Sequence, residues 1–262
     1  MNQPIRLRNV LESVLSLLPF DIAIKIVNLL LTSQGFGSGA RIETSGEVDA
    51  VARLFSHRVN ERLTIFDVGA NRGEYCKGIL DIFPNCTIFA FEPSPTTFTL
   101  LESYLKDDPR VKMFNFGLGE TIEQRNLYKE SQYAKIGSLT KLNVTDDRYT
   151  ENVSIRTVDQ VFEDLQLTYI DVLKIDVEGH EFEVMRGGTN IIEKNKVKII
   201  QFELGGSSID NKTNLKEMYD WLDKIGFKIY LIKPRGLQYL PSYNYQYEQY
   251  STTNFLAVLN ES

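Results

Sequence analysis

The sequence predicts an α/β fold in which a mostly parallel β-sheet carries helices on both faces. Short apolar runs alternate along the chain with segments whose apolar residues recur at helical spacing. In addition, polar residues are concentrated where two of these runs end, which is where α/β sheets bind their ligands. The apolar runs predicted as strands begin near Thr64, Thr87, Val111, Val172, Lys198, Phe227 and Asn254.

Residues 1–46 are predicted to form an N-terminal helical extension and a linker, and residues 47–262 the main domain. Val10–Leu18 and Phe20–Leu31 are amphipathic runs, and the Gly- and Ser-rich segment Gln34–Gly46 follows them. The second run is too short and too polar to span a bilayer. We expect these helices to dock on the main domain or on a second subunit, which would give a homo-oligomer. Peripheral membrane contact is the alternative.

Within the main domain, helices are predicted over Glu47–Arg58, Phe98–Leu105 and Leu215–Ile225, where apolar residues recur every three or four positions. Glu120–Arg156 is polar and contains scattered turn residues, so we interpret it as a hairpin or excursion from the sheet. The last two predicted strands are joined by a loop in which no crossover helix is evident.

Composition limits the classes of partner. The net charge is −6, and no run of Lys and Arg supplies a phosphate-binding face, so nucleic acid is not expected as a partner. The two cysteines, Cys76 and Cys86, form no C-x-x-C motif and are interpreted as buried free thiols in a reducing compartment. These features predict a cytoplasmic protein that acts on small or neutral partners.

The first candidate site is the stretch TIFDVGANRG, which begins at Thr64. A buried strand enters a turn containing Gly69 and Gly73, where the backbone can approach a ligand closely. The next strand ends at Glu92, whose carboxylate can accept hydrogen bonds from both hydroxyls of a ribose. The spacing G-x-N-x-G differs from the G-x-G-x-x-G of dinucleotide sites. A ligand-free turn would explain the glycines but would leave Asp67 and Glu92 unexplained.

The second candidate site follows the fourth predicted strand, where four ionisable residues crowd the strand exit. They are Asp176, Glu178, His180 and Glu181. Because ligands bind beyond the carboxyl ends of parallel strands, we expect this cluster to face the glycine turn across one site. Glu203, at the end of the fifth strand, is a site residue or caps the next loop. Asp176, Glu178 and Glu203 could also hold Mg²⁺, although no spacing requires a metal.

Several blocks of the sequence together resemble one family. IFDVGANRGEY, FEPSP and LKIDVEGHEFEVMRGG are similar, in order and spacing, to blocks of the FkbM family of S-adenosylmethionine-dependent methyltransferases. The resemblance implies a class I methyltransferase (Rossmann-like) fold with seven strands in the order 3-2-1-4-5-7-6, the last antiparallel. It also implies S-adenosylmethionine as cofactor. The cofactor-binding residues that it implies are Asp67, Gly69, Ala70, Asn71, Gly73, Glu92, Pro93, Gly117 and Leu118.

The resemblance also implies a reaction. Members of the family are generally O-methyltransferases acting on glycans and natural products, and DVEG replaces the Asn/Asp-Pro-Pro-aromatic box of amino methyltransferases. We expect Asp176 to make the catalytic contact, with Glu178 and His180 as further candidates; His180 and Glu181 could instead be exposed residues of the next helix. A nucleotide-dependent oxidoreductase and a non-catalytic scaffold are the alternative functions.

The segment Tyr239–Tyr250 contains five tyrosines between the last two predicted strands. Tyrosine has a flat apolar face and a polar tip, which suits it to stacking on a sugar or polyketide ring. We therefore hypothesise that this segment lies over the methyl acceptor. Packing of alternate tyrosines on one face of an extended segment is the other interpretation.

Overall fold

Two β-sheets organise the chain. A computed structural model describes residues 12–39, 41–129, 137–139 and 149–260. The strands are β1 (Thr64–Val68), β2 (Thr87–Phe91), β3 (Val111–Phe114), β4 (Gly117–Leu118), β5 (Glu123–Lys129), β6 (Gly137–Ser138), β7 (Tyr149–Arg156), β8 (Ile170–Ile175), β9 (Val197–Leu204), β10 (Phe227–Lys233), β11 (Gly236–Leu240) and β12 (Thr253–Leu259). The main sheet has the order β11-β10-β12-β9-β8-β1-β2-β3.

Seven strands of this sheet follow the order 3-2-1-4-5-7-6 expected from the resemblance. Five neighbouring strands are parallel, and β12 is antiparallel to both β9 and β10, which confirms the expected ending. The expected strand number is wrong by one, because β11 adds an eighth strand as a hairpin with β10. Strand β11 has exposed residues and only one buried side chain, so it carries no apolar run that would predict it.

Helices cover both faces of the main sheet, as predicted. In chain order, the α-helices include α1 (Phe20–Ser33), α2 (Ile42–Ser45), α3 (Glu47–Leu54), α4 (Glu74–Ile82), α5 (Pro95–Leu105), α6 (Val158–Asp164), α7 (Glu181–Arg186), α8 (Thr189–Glu193), α9 (Ser207–Asp210) and α10 (Leu215–Lys224). Successive strand residues point to opposite faces. Accordingly, Ile65 joins the apolar core beneath α3, α4 and α5, whereas Phe66 joins the core beneath α6, α7, α8 and α10.

The polar segment after β3 forms a second, smaller sheet with the order β4-β7-β5-β6. Strands β5 and β7 pair in antiparallel orientation over seven positions, which confirms the predicted hairpin. Leu127, Val153 and Ile155 form a small apolar core on one side of this sheet. Residues 130–136 and 140–148 of the predicted excursion lie outside the described residues.

The N-terminal extension differs from its prediction. Helix α1 has no buried residue, and Phe20, Leu29 and Leu30 are each more than half exposed, so docking of this helix on the main domain is wrong. Docking on a second subunit stays a prediction. No helix among the described residues has the length and the apolar character needed to cross a membrane. Residues 1–11 lie outside the described residues, and they include the first two residues of the first predicted helix, Val10–Leu18.

Residues 34–39, here called the strap, connect α1 to the main sheet. The sequence predicts a linker at this position, but the strap packs on the sheet. Gly37 N donates to Thr253 Oγ1 at 3.1 Å, and Gly39 N donates to Thr252 O at 3.0 Å. A Cβ atom on Gly35 would lie 2.4 Å from Ile232 O. In these contacts the main chain of the strap lies directly against the sheet. The glycines on which the linker prediction was based therefore permit close packing, because they have no side chain.

Candidate active site

The two candidate clusters meet where β1 and β8 lie side by side. Asp176 N donates to Val68 O at 3.0 Å, directly beyond the paired strands. Gly69 has a φ of 81°, and a Cβ atom there would lie 1.9 Å from Asp176 O. The sequence-predicted convergence of the glycine turn and the Asp176 cluster therefore depends on the absence of a side chain at Gly69.

The glycine turn is held against the end of β2. Gly69 N and Ala70 N both donate to Phe91 O, at 3.0 and 2.9 Å. Gly73 has a φ of 86° and begins α4, and a Cβ atom on it would lie 2.6 Å from Leu105 Cδ1. Gly73 thus allows α4 to pack against α5, and the turn places Gly69 and Asn71 along the cavity described below.

Glu92 is buried at the end of β2 and its carboxylate is fixed by the main chain. Its Oε1 accepts from Ser94 N at 2.9 Å, and its Oε2 accepts from Asn71 N at 3.0 Å. Burial raises the pKa of Glu92 to about 7, while the two N–H groups and Lys129 oppose this rise. A carboxylate has about four lone-pair sites, so each oxygen keeps the capacity to accept from one ribose hydroxyl.

Asp67 lies beneath the turn and belongs to a buried charge network. Its Oδ2 accepts from Cys76 Sγ at 3.1 Å, and its Oδ1 lies 3.4 Å from Lys174 Nζ. The same ammonium lies 3.2 Å from Asp176 Oδ2. Burial lowers the pKa of Lys174, but the charges of Asp176 and Asp67 outweigh it and hold that pKa well above its usual value. Lys174 therefore links Asp67, which lies beneath the glycine turn, to Asp176, which belongs to the second cluster.

Lys129 is a buried site residue that no pattern in the sequence selects. Its Nζ donates to Ser94 Oγ at 3.0 Å, Thr96 Oγ1 at 3.1 Å and Thr97 Oγ1 at 3.2 Å. These hydroxyls lie at the start of α5, next to Glu92, whereas Lys129 ends β5 of the small sheet. The lysine therefore fastens the small sheet to the segment that holds the Glu92 carboxylate.

Replacing Lys129 by methionine is expected to lower the free energy of unfolding by about 1–3 kcal/mol, because the buried hydroxyls of Ser94 and Thr97 and the half-buried hydroxyl of Thr96 lose a charged donor. Binding of S-adenosylmethionine should weaken as well, since Ser94 N orients Glu92. Urea denaturation and calorimetry would measure the two effects. Lys228→Met, at an exposed position of β10, is the matched control. Equal stability of the two variants would contradict the role given to Lys129.

One cavity of about 560 Å³ connects both clusters. The predicted cofactor residues in its lining are Gly69, Asn71, Glu92, Pro93, Gly117 and Leu118. Asp67, Ala70 and Gly73 lie outside the lining. Ala70 and Gly73 belong to the turn itself, and Asp67 lies beneath it. The predicted catalytic residues Asp176 and Glu178 line the other end, together with Glu203. This end also includes Gly39, Ser207 and Thr252, and these six residues are here called the acceptor end.

Glu178 combines a strained backbone with a titratable side chain in this lining. Its φ is 55°, which non-glycine residues adopt infrequently and which is common at functional sites. Burial, followed by the charge of Asp176, raises the pKa of its carboxyl group to about 7. Ser207 Oγ donates to its Oε2 at 3.4 Å. A carboxyl group with this pKa can accept a proton near neutral pH.

Glu203, at the acceptor end, and the neighbouring Glu47 also have raised pKa values. Burial raises the pKa of Glu203 to about 10, and the charges of Asp176, Glu47 and Glu178 add to the rise. Glu47, the first residue of α3, accepts from Ser45 Oγ at 2.8 Å and from Gln201 Nε2 at 3.2 Å. Burial raises its pKa to about 6. The sequence pattern did not select Glu47, because it resembles any acidic residue in a first helical turn.

His180 and Glu181 are buried, so the interpretation of both as exposed helix residues is wrong. His180 Nδ1 lies 3.1 Å from Glu183 Oε1, and His180 is not part of the cavity lining. Glu181 Oε1 accepts from Val177 N at 3.2 Å and from Gly179 N at 3.0 Å. Glu181 therefore holds the loop that presents Asp176 and Glu178, and a catalytic role for His180 stays a prediction that this placement does not favour.

The pKa of Glu181 makes folding stability depend on pH. Burial raises this pKa from 4.5 to about 8. The folded protein therefore binds more protons than the unfolded chain between these values, and stability should fall as pH rises from about 4.5 to about 8. In Glu181→Gln this slope should be shallower, as measured by urea denaturation at pH 5, 6.5 and 8. Glu163→Gln, on the exposed side of α6, should retain the wild-type slope.

The tyrosines of the segment Tyr239–Tyr250 do not line the cavity, so the hypothesis that they lie over the acceptor is not supported. Tyr239 contacts Tyr230 across the β10–β11 hairpin, with ring centroids 5.3 Å apart. Tyr243 donates to Glu248 Oε1 at 2.9 Å. Glu248 in turn accepts from the main-chain N–H groups of the first two residues of α10. The segment thus fixes the start of a helix.

The acidic residues of the acceptor end do not form a recognisable metal centre. Among the described residues, no three His, Cys, Asp or Glu side chains are placed to hold one ion. Both cysteines are free and buried. The suggestion that Asp176, Glu178 and Glu203 hold Mg²⁺ therefore gains no support from their placement.

The strand order, the glycine turn after β1 and the buried acid after β2 define a class I S-adenosylmethionine-dependent methyltransferase. A model of the methyltransferase FkbM domain matches residues 67–229. This match covers more than half of the chain, so the protein belongs to the FkbM methyltransferase family, and its cofactor is S-adenosylmethionine.

Two relatives have names that describe an activity. The hexuronic acid methyltransferase AglP of Haloferax volcanii is 30% identical over 164 residues, which cover 61% of this chain and 64% of that protein. The 2-O-methyltransferase NoeI of Sinorhizobium fredii is 21% identical over 227 residues, covering 81% and 91% of the two chains. The chain thus spans a little under two thirds of the Haloferax protein.

Solved structures with a similar architecture include other methyltransferases. A putative rRNA methylase from Clostridium thermocellum aligns with 82% of this chain and 97% of its own, at 10% identity and a TM-score of 0.48. Aeropyrum pernix fibrillarin with natively bound S-adenosyl-L-methionine aligns with 80% and 73%, at 16% identity and a TM-score of 0.44. At these scores, the fold assignment depends on the strand order and the family match.

Proposed function

We propose that the protein transfers a methyl group from S-adenosylmethionine to a hydroxyl oxygen of a glycan or natural-product acceptor. The observation that carries this proposal is that Glu92 and Glu178 line the same cavity. The names of the relatives, a hexuronic acid methyltransferase and a 2-O-methyltransferase, support acceptors of glycan type. A cytoplasmic location and a homo-oligomer formed through the N-terminal helices remain part of the proposal.

Different residues of the cavity bind the cofactor and align the acceptor. Glu92, Asn71 and the Gly69 turn hold the cofactor, which supplies a methyl group already activated by its bond to a sulfonium sulfur. The acceptor hydroxyl must be aligned and must lose its proton, and positioning alone contributes several kcal/mol to such a reaction. Asp176 is placed to orient the hydroxyl, because Lys174 fixes one of its oxygens.

Glu178 is the group that takes the proton. Asp176 was the first choice from the sequence, but its carboxylate is paired with Lys174, whereas the pKa of Glu178 is raised to about 7. A base is most effective when its pKa lies near the working pH, because it is then ionised and still basic. After transfer, Glu178 releases the proton to water.

The alternative functions predict different ligands, and one binding experiment separates them. Calorimetry of the full chain with S-adenosylmethionine and with NAD should show binding of the first alone. Radiolabelled methyl transfer from S-adenosylmethionine to a panel of neutral glycans and polyketides, followed by NMR of the product, should then locate the methyl group on oxygen. Binding without transfer to any hydroxyl would favour the non-catalytic alternative, and a methylated nitrogen would contradict the oxygen acceptor.

A further inference from the structure

The charge of the acceptor end restricts the substrates that can enter. Asp176, Glu178 and Glu203 all line it. The one cationic side chain among the described lining residues is Lys129, which lies at the cofactor end with its ammonium held by Ser94, Thr96 and Thr97. Lys174 is not among the lining residues, and its ammonium is paired with Asp176 Oδ2 at 3.2 Å. The acceptor end is therefore a concave surface lined by three carboxyl groups, and no described cation lines it.

A buried amide lies beside the same carboxyl groups. Asn254 is 1% exposed, and its Nδ2 has no hydrogen-bond partner among the described residues. A Cβ atom built on the lining residue Gly39 would be 2.7 Å from that Nδ2 and 3.1 Å from Glu203 Oε2. Gly39 is therefore packed closely against the Asn254 amide and Glu203, and Asn254 itself is not among the lining residues.

The described groups offer both donors and acceptors to a hydroxylated ring. Glu178 accepts as the base. Burial and the charges of the neighbouring carboxyl groups raise the pKa of Glu203, which favours its neutral form, and in that form it can donate through its O–H. A ring with adjacent hydroxyl groups can satisfy both side chains, whereas a second carboxylate or a phosphate would meet the carboxylates of Asp176 and Glu178.

We propose that the acceptor end selects a sugar without negative charge, with adjacent hydroxyl groups contacting Glu178 and Glu203, and that it excludes hexuronates and sugar phosphates. This inference rests on the proposed O-methyltransferase function. It predicts that this chain and the relative named for a hexuronic acid differ in their acceptors, because a hexuronic acid carries a carboxylate.

Three matched acceptors test the proposal with the full chain and S-adenosylmethionine. They are a methyl hexoside, the corresponding methyl hexuronoside, and the methyl ester of that hexuronoside, each in the gluco, galacto and manno series. The ester has nearly the shape of the acid but no charge. We expect kcat/KM for the acid to be lower than for the ester and the hexoside by about 10-fold or more, because like charges meet in the site.

The outcomes separate this inference from the function on which it rests. Equal or faster methylation of the hexuronoside would overturn the charge selection and leave hydroxyl methylation intact. No transfer to any of the sugars, with S-adenosylmethionine still bound, would overturn the proposed glycan function and the inference together. A rate that requires added Mg²⁺ and disappears with EDTA would also overturn the inference, because a cation would then neutralise the acidic lining.

A pair of variants tests the neutral donor at position 203. Glu203→Gln keeps an uncharged donor, so KM for the hexoside should remain within about threefold of wild type, whereas Glu203→Ala should raise it by about 10-fold, the loss of one hydrogen bond. Equal effects of the two substitutions, with unchanged melting temperatures, would show that Glu203 does not donate to the sugar.

Discussion

Replacing Glu92 by alanine is expected to lower the affinity for S-adenosylmethionine by about 10- to 150-fold, equivalent to about 1.5–3 kcal/mol. The carboxylate is buried, is fixed by Asn71 N and Ser94 N, and faces the cavity. It is therefore already oriented to accept from two hydroxyls, and its removal loses two charge-assisted hydrogen bonds. Calorimetric titration with S-adenosylmethionine and S-adenosylhomocysteine would measure the change.

The Glu92 variant needs a folding control, because alanine leaves two main-chain N–H groups without their acceptor. Melting temperatures of both proteins should accompany the titration. Glu102→Ala, on the exposed side of α5, should bind the cofactor as the wild type does. Affinity should also rise as pH increases through about 7, because Glu92 accepts best when ionised. Unchanged affinity in Glu92→Ala would remove the ribose role.

Replacing Glu178 by glutamine is expected to lower kcat by about 10²-fold or more while the affinity for S-adenosylmethionine stays near that of the wild type. The amide has the same shape but cannot take the proton of the acceptor hydroxyl. In the wild type, kcat should rise with pH and level off above about 7, where Glu178 is ionised. In the variant this rise should disappear. Steady-state kinetics with a methylated glycan product would measure both effects.

The comparison with Asp176 makes the Glu178 test specific. Asp176→Asn should also lower kcat, because the hydroxyl is less well oriented, but the rise of kcat with pH should persist. Glu217→Gln, at an exposed position of α10, controls for the loss of a carboxylate elsewhere. A pH-dependent rise that is lost in Asp176→Asn and retained in Glu178→Gln would return the role of base to Asp176, the first choice from the sequence.

The sequence predicted the main sheet well because most of its strands are buried apolar runs. All six residues of β8 are buried, and such a strand leaves a clear pattern. Strand β11 leaves no such pattern, because it lies at the sheet edge with Gln238 and Tyr239 exposed. The glycine turn and Glu92 were also predictable, because a short local stretch builds that part of the site.

The parts of the site that the sequence could not supply are those made by distant residues. Lys129 contacts Ser94 across 35 positions, and in the sequence it ends a polar strand like any other lysine. Glu47 hydrogen-bonds Gln201 across 154 positions. Nothing in the local spacing of such residues predicts burial, because their neighbours are brought together only by the packed sheet.

The contacts of the strap place the N-terminal boundary of the functional unit before the predicted domain boundary. The composition of Gln34–Gly46 predicts a boundary at residue 46, yet Gly39 forms part of the acceptor end and is held by Thr252 O at 3.0 Å. A chain that started at Glu47 would keep every strand of both sheets but would lose Gly39 from the lining of the cavity. We therefore expect the smallest fragment that recognises its acceptor to include residues that the sequence assigns to a spacer.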